Sequence, residues 1–272
     1  MRKILAVTVV LFVLTGAAFA ETVSVAVDGH HGKLAALVQR PELKDGGKCP
    51  MVMLLHGFTG NKSNRPLTDI ADMLEKEGIA SIRFDFNGHG ESEGAFSDMT
   101  VLNEIEDAKR VFEFVKGLEY VDGVSIAGHS QGGVVTSMLA GELGRENVKC
   151  VVLLAPAAVL RDDAIRGSAF GVSYDAGNPP ETVDIWGHKL GREYILTAQS
   201  LPIYETAEKF TGPACMIHGT ADRIVPYTYS LSYKRVYENG ELHLIDGADH
   251  GFRGHEQETA EIAVTFLKSH TK

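Results

Sequence analysis

Several features that would assign this chain to a large class of proteins are missing. Lysine and arginine number 26 against 36 acidic residues, giving a formal net charge of −10. No basic cluster appears, so a nucleic-acid partner, which would require clustered cations on one face, is excluded as an expectation. There are three cysteines, Cys49, Cys150 and Cys215, an odd count in a chain of 272 residues that is too large to need stapling. Cys150 and Cys215 begin apolar runs, Val151 to Leu154 and Met216 to Ile217, which points to buried free thiols. Neither C-x-x-C nor H-E-x-x-H occurs, and the histidines lack metal-ligand spacing along the chain, so neither metal nor cofactor is expected. Internal repeats and low-complexity tracts are absent too.

The apolar run Ile4 to Leu14 is too short for a spanning helix. It follows Arg2 and Lys3 and precedes small residues ending Ala18-Phe19-Ala20, the order of a secretory signal peptide with cleavage after Ala20. The expectation is a secreted or periplasmic protein whose mature chain, residues 21–272, is one domain without a membrane span. With 44% hydrophobic and 23% charged residues, that chain can bury one sizeable core.

Thr22 to Val27 and Lys33 to Gln39 alternate apolar and polar residues about Asp28-Gly29-His30-His31-Gly32, which predicts an antiparallel hairpin. Beyond it the pattern changes. Short, continuous apolar runs (Met51 to Leu55, Ala80 to Phe86, Val124 to Ala127, Lys149 to Leu154, Ala214 to His218, Glu241 to Ile245) read as strands buried on both faces. Amphipathic stretches near Leu67 to Glu77, Val101 to Leu118 with Thr100 as N-cap, Gln131 to Leu143, and Glu256 to Lys268 read as helices between and after them. This alternation predicts an α/β fold, a mostly parallel central sheet flanked by helices. One segment breaks the rhythm: residues 157–200 have no clear period and far exceed an ordinary connection, which marks an inserted cap.

Ligands of parallel sheets gather at the carboxyl ends of the strands. Three chemically distinct groups stand there. Val124 to Ala127 leads into GHSQGG with Ser130; Ala214 to His218 leads into Gly219-Thr220-Ala221-Asp222; Glu241 to Ile245 leads into Asp246-Gly247-Ala248-Asp249-His250. A serine hydroxyl attacks a carbonyl only if a base removes its proton. Histidine suits that exchange near neutrality, and a carboxylate fixes its tautomer. The chain order Ser, Asp, His on one sheet edge therefore points to nucleophilic catalysis. Asp246 and Asp249 compete with Asp222 for the acid position, and His56, His129 and His218 read as structural. Gln131, at the start of a helix, has an N–H free to meet an oxyanion, and Phe58 is placed to supply a second.

The set HGFTG, DFNGHGES, GHSQGG, GTADRIVP and GADHGF resembles the α/β-hydrolase superfamily, and the elbow together with the insertion is similar to bacterial cinnamoyl (feruloyl) esterases. That resemblance implies an α/β-hydrolase fold with an inserted cap at about 157–200. It implies Ser130 as nucleophile, Asp222 as acid, His250 as base, and the backbone amides of Phe58 and Gln131 as the oxyanion hole. It also implies a serine esterase of plant cell wall degradation acting on small-molecule or polysaccharide-linked hydroxycinnamate esters. Within the cap it aligns Asp163 and Tyr194 with residues that bind the ring hydroxyl, and it puts Phe170 where relatives can carry an amide. Trp186, the only tryptophan, joins Phe170 as a candidate aromatic wall of the pocket.

Overall fold

A computed structural model describes residues 20–44 and 46–271; most of the segment read as a signal peptide, residues 1–19, lies outside that range. β1 (Glu21–Asp28) and β2 (Lys33–Arg40) form the antiparallel hairpin, with Asp28 opposite Lys33. β3 (Cys49–Leu55) is buried at every position, which is why its apolar run is continuous. α1 (Leu67–Lys76), β4 (Ala80–Phe84) and α2 (Val101–Lys116) follow, then β5 (Val121–His129), α3 (Gln131–Leu143) and β6 (Val148–Leu154). Thr100 caps α2, its hydroxyl accepting from Asn103 N at 3.0 Å.

The chain then leaves the sheet through α4 (Val159–Arg166), two short hairpins, β7 (Ser168–Ala169) with β8 (Val172–Ser173) and β9 (Thr182–Ile185) with β10 (His188–Gly191), α5 (Arg192–Ala198) and α6 (Ile203–Ala207). It returns as β11 (Ala214–Gly219), α7 (Thr228–Val236), β12 (Gly240–Ile245) and α8 (Glu256–His270). The eight-stranded sheet has the order β1-β2-β4-β3-β5-β6-β11-β12 and is parallel from β4 onward. Apolar side chains of α1 and α8 cover one face; α2, α3 and the inserted elements cover the other. This is the mostly parallel, helix-flanked sheet that the sequence pattern predicts, and it carries the inserted cap of the α/β-hydrolase fold that the resemblance implies. No described helix is long and apolar enough to cross a membrane.

Two differences from the sequence reading have local causes. β4 ends at Phe84 rather than Phe86: Asp85 N still donates to Ala35 O of β2 at 3.0 Å, and beyond it side chains replace the ladder. Phe86 N donates to His56 Nε2 at 3.1 Å, and the Asp85 carboxylate accepts from Lys62 N and Nζ at 2.6 and 2.7 Å. α7 has no sequence signature because its inward residues are Ser230 and Tyr233, which bond to His218 and Ser137 instead of forming an apolar stripe.

Candidate active site

Ser130 is the single residue between β5 and α3, with φ 56° and ψ −121°. Few L-residues tolerate such a backbone, and here it is held from both sides. Ser130 N donates to Leu154 O at 2.8 Å, while its carbonyl accepts from Gly133 N at 2.9 Å and Ala157 N at 3.0 Å. The flanking glycines are sterically required. A Cβ on Gly128 would fall 2.1 Å from Gly132 O, and one on Gly132 would fall 2.4 Å from the carbonyls of Leu55 and His56.

His250 reaches this turn from the loop after β12. Its Nε2 lies 2.9 Å from Ser130 Oγ and its Nδ1 2.7 Å from Asp222 Oδ2. Nδ1 must donate, since a carboxylate only accepts, and Nε2 is thereby left to receive the serine proton. Asp222 is itself fixed: Oδ1 accepts from Ile224 N and Val225 N, each at 2.8 Å, and Oδ2 from His218 Nε2 at 3.1 Å. Burial works to raise the Asp222 carboxyl, but hydrogen bonds from His218 and His250 and the His250 charge outweigh it and hold the group well below the usual carboxylate range. Neither competing carboxylate contacts His250 among the described residues. Asp246 accepts from Thr220 Oγ1 at 3.0 Å, and Asp249 from Gly251 N and Arg253 N, both at 3.0 Å.

The other histidines hold loops. His129 Nε2 donates to His250 O at 2.8 Å, and burial, then the His250 charge, lowers His129 to about 4. His56 donates from Nδ1 to Gly57 O at 2.9 Å; burial, then His89, lowers it to about 3. Both rings are neutral near pH 7. His218 does more than its position at a strand end suggests. It is fully buried, receives Ser230 Oγ at Nδ1 (2.7 Å), and orients Asp222 from the other side. Its spacing four residues before Asp222, across the end of β11, is the only sequence signal of that role.

Gly57 packs directly on Ser130, where an added Cβ would meet Ser130 Cβ at 2.8 Å, and this brings the Phe58 amide alongside the serine. Neither Phe58 N nor Gln131 N donates to a protein acceptor among the described residues. The loop carrying Phe58 is anchored by the buried Lys62–Asp85 pair.

A cavity of about 340 Å³ opens at Ser130, Phe58 and Gln131, and all four cap residues singled out from the sequence, Asp163, Phe170, Trp186 and Tyr194, line it. A second cavity, of about 270 Å³, begins at the same serine on the His250 side and reaches Asn64 and Arg65. Phe170 stacks on Phe58 at 4.8 Å and meets Trp186 at 4.6 Å, so the aromatics form the wall between the two spaces. Tyr194 is not free: its hydroxyl donates to Gln131 Oε1 at 2.8 Å. Asp163 pairs with Arg166 at 3.3 Å, and burial raises its carboxyl against the pull of that guanidinium.

The three cysteines are free and buried. Away from the serine, the ligating atoms of Cys215, Glu241 and His243 lie within 4.8 Å of one another. Chain spacing did not reveal this grouping, because it forms across two strands, and burial, then Glu241, keeps the thiol strongly protonated.

A family profile described as serine aminopeptidase, S33, matches residues 48–172. Est1E from Butyrivibrio proteoclasticus, solved with ferulic acid bound, is 31% identical with a TM-score of 0.86, over 90% of this chain and 98% of its own. XC6422 from Xanthomonas campestris, an α/β serine hydrolase without a lid, shares the fold at 20% identity and a TM-score of 0.65, over 94% of this chain and 97% of its own. Among curated sequences, the lysophosphatidylserine lipase ABHD12 of Gallus gallus is 30% identical over 131 residues, 47% of this chain. The chain spans about a third of the length of the first curated relatives it matches, 33% and 36%. With 98% of Est1E covered at 31% identity and the serine elbow, histidine and carboxylate in one hydrogen-bonded row, the chain belongs to the α/β-hydrolase superfamily, among its serine hydrolases.

Proposed function

We propose that the protein cleaves carboxylic esters through an acyl-enzyme on Ser130 and that its acyl groups are hydroxycinnamates such as ferulate, coumarate and caffeate. His250 Nε2 takes the Ser130 proton as Oγ bonds to the ester carbonyl carbon, and the Phe58 and Gln131 amides receive the negative oxygen. Collapse expels the alcohol, which leaves with the proton from His250. Water then attacks the acyl-enzyme with His250 again as base, releasing the acid and restoring Ser130. Asp222 stays ionised throughout and keeps the imidazole in the right tautomer.

The observation that carries the acyl preference is the cleft beginning at Ser130, walled by Phe58, Phe170 and Trp186, with Asp163 in its lining. Such a cavity suits a flat ring bearing one hydroxyl, since apolar walls bury the ring while a polar group fixes its orientation. Tyr194 donates to Gln131, and its oxygen keeps a lone pair for the same phenol. The ferulic acid bound by Est1E supports the reading. Residues 1–20 support action outside the cytoplasm, where polysaccharide-linked esters are available.

A general short-chain carboxylesterase or monoacylglycerol lipase is the second reading, favoured by the likeness to ABHD12 and by the more open second cavity. A panel decides between them. It sets methyl ferulate, coumarate, caffeate and cinnamate against p-nitrophenyl butyrate, a monoglyceride and, for the peptidase description of the family, an aminoacyl p-nitroanilide. Hydroxycinnamates are expected to give the highest kcat/KM. Asp163→Ala should lower kcat/KM for methyl ferulate by about tenfold, the scale of one or two hydrogen bonds, with little effect on methyl cinnamate, which lacks the hydroxyl. A higher value for the monoglyceride, or equal losses on ferulate and cinnamate, would sink the hydroxycinnamate assignment.

A further inference from the structure

We propose that Glu104 and Tyr194 are positioning residues that tie the seating of the inserted cap to the oxyanion-binding amide of Gln131. The proposal rests on the reading of that amide as an oxyanion donor. Gln131 is the first residue of α3, so its N–H is free while its side chain is buried, 2% exposed. Both ends of that side chain are held by other elements. Oε1 accepts the Tyr194 hydroxyl from α5 of the cap at 2.8 Å, and Nε2 donates to Glu104 Oε2 from α2 at 2.8 Å. Tyr194 and Glu104 are 6% and 2% exposed. Core helix, elbow helix and cap helix thus converge on one amide group.

The coupling follows from desolvation. If the cap lifts, Tyr194 leaves, and Gln131 Oε1 loses its donor in a dry site, which is costly for a buried acceptor. A seated cap and a fixed Gln131 therefore stabilise each other. A substrate whose acyl group packs beneath the cap would tighten the amide that receives its own oxyanion.

Glu104 contributes a second property. No cation faces it, and its Oε1 has no partner among the described residues. The titratable groups around it are Asp107 on its own helix and Tyr194 from α5, while His31 and Asp98 border the small cavity on its far side. Burial pushes the carboxyl up to about 8, against the Gln131 hydrogen bond and with help from Asp107. A neutral Glu104 leaves the field at the Gln131 amide unopposed, whereas an ionised one places a buried negative charge behind the site where the oxyanion develops.

The test uses the full chain and p-nitrophenyl acetate, an ester too small to need the cap cavity. Glu104→Ala and Tyr194→Phe are expected to lower kcat about tenfold with KM changed less than about twofold, the signature of an interaction made in the transition state. Glu104→Gln should recover most of that loss. Wild-type kcat should fall above about pH 8, and Glu104→Gln should lack that limb. A merely structural role would lower Tm and leave both kcat below Tm and the pH profile unmoved. That result, or an alkaline limb retained in Glu104→Gln, overturns the proposal, and if Glu104→Ala does not fold, the Tyr194→Phe kinetics and the Glu104→Gln profile still decide. A wild-type protein that neither hydrolyses the ester nor takes a fluorophosphonate on Ser130 would instead bring down the acyl-enzyme reading itself.

Discussion

At Asp222 every lone pair facing the protein is spoken for: two backbone amides hold Oδ1, and two imidazoles share Oδ2. Asp222→Asn replaces one acceptor oxygen by a donor and sets the His250 tautomer wrong, so kcat should drop by about four orders of magnitude, while Asp246→Asn should stay within a few-fold. Ester hydrolysis by the two purified variants checks this, and a larger loss from Asp246→Asn would reassign the acid. The residue types and their order were legible in the sequence. Position alone left the carboxylate open, because Asp246, Asp249 and Asp222 all stand at strand ends; the resemblance picked Asp222, and the hydrogen bonds agree with that choice. Glu104 was invisible for a related reason: on a helix read as amphipathic, one inward carboxylate looks like a surface residue. Its ionisation has a measurable sign. The folded state holds this proton up to about pH 8, the unfolded chain only to about 4.3, so its stabilising contribution is complete below pH 4.3 and is lost as pH rises to 8. The Tm of the wild type minus that of Glu104→Gln should therefore fall from pH 5 to pH 8 and level off beyond; a constant difference would show that Glu104 does not titrate there.

At the scale of elements, the two cap hairpins are unusual. Ala169 faces Val172 and Ile185 faces His188, leaving two-residue turns, Phe170-Gly171 and Trp186-Gly187. Both residues of each turn have positive φ, 49° and 83° in the first, 54° and 86° in the second. Turns of this kind favour Asn-Gly, and a bulky aromatic in the first position is strained. These aromatics nonetheless remain exposed, 38% for Phe170 and 63% for Trp186, at the edge of the cavity. The strain is expected to serve substrate contact rather than folding. Trp186→Asn should accordingly raise Tm while lowering kcat/KM for methyl ferulate by about tenfold, the scale of one lost aromatic contact. Calorimetry and kinetics on the variant test both signs, and a lowered Tm would mean that Trp186 packs the cap instead. The hairpins themselves escaped the sequence reading because strands of two and four residues are too short to show a period.

For the whole molecule, the order of strands and helices was readable because the central strands β3, β4, β6 and β11 are buried on both faces while α1, α2 and α8 bury one side, which imprints two different patterns; β12, read as buried on both faces, is instead a partly exposed edge strand. The cap was readable only as an interruption, since its short elements are stabilised by packing on the main body. Leu160, Val183, Leu190 and Ile195 of the inserted region belong to the same hydrophobic cluster as α2 and α3. Cap and body should therefore unfold together in one calorimetric transition with equal calorimetric and van't Hoff enthalpies, and two separate transitions would mean that the cap is held independently.

The acyl-enzyme is the point on which nucleophile, base, oxyanion amides and acyl cavity all bear. Turnover of methyl ferulate quenched with acid, followed by digestion and mass analysis, should find a feruloyl group on the peptide containing Ser130 and no other. Ferulate released at an undiminished rate by Ser130→Ala, or a feruloyl adduct on a different residue, would contradict the account.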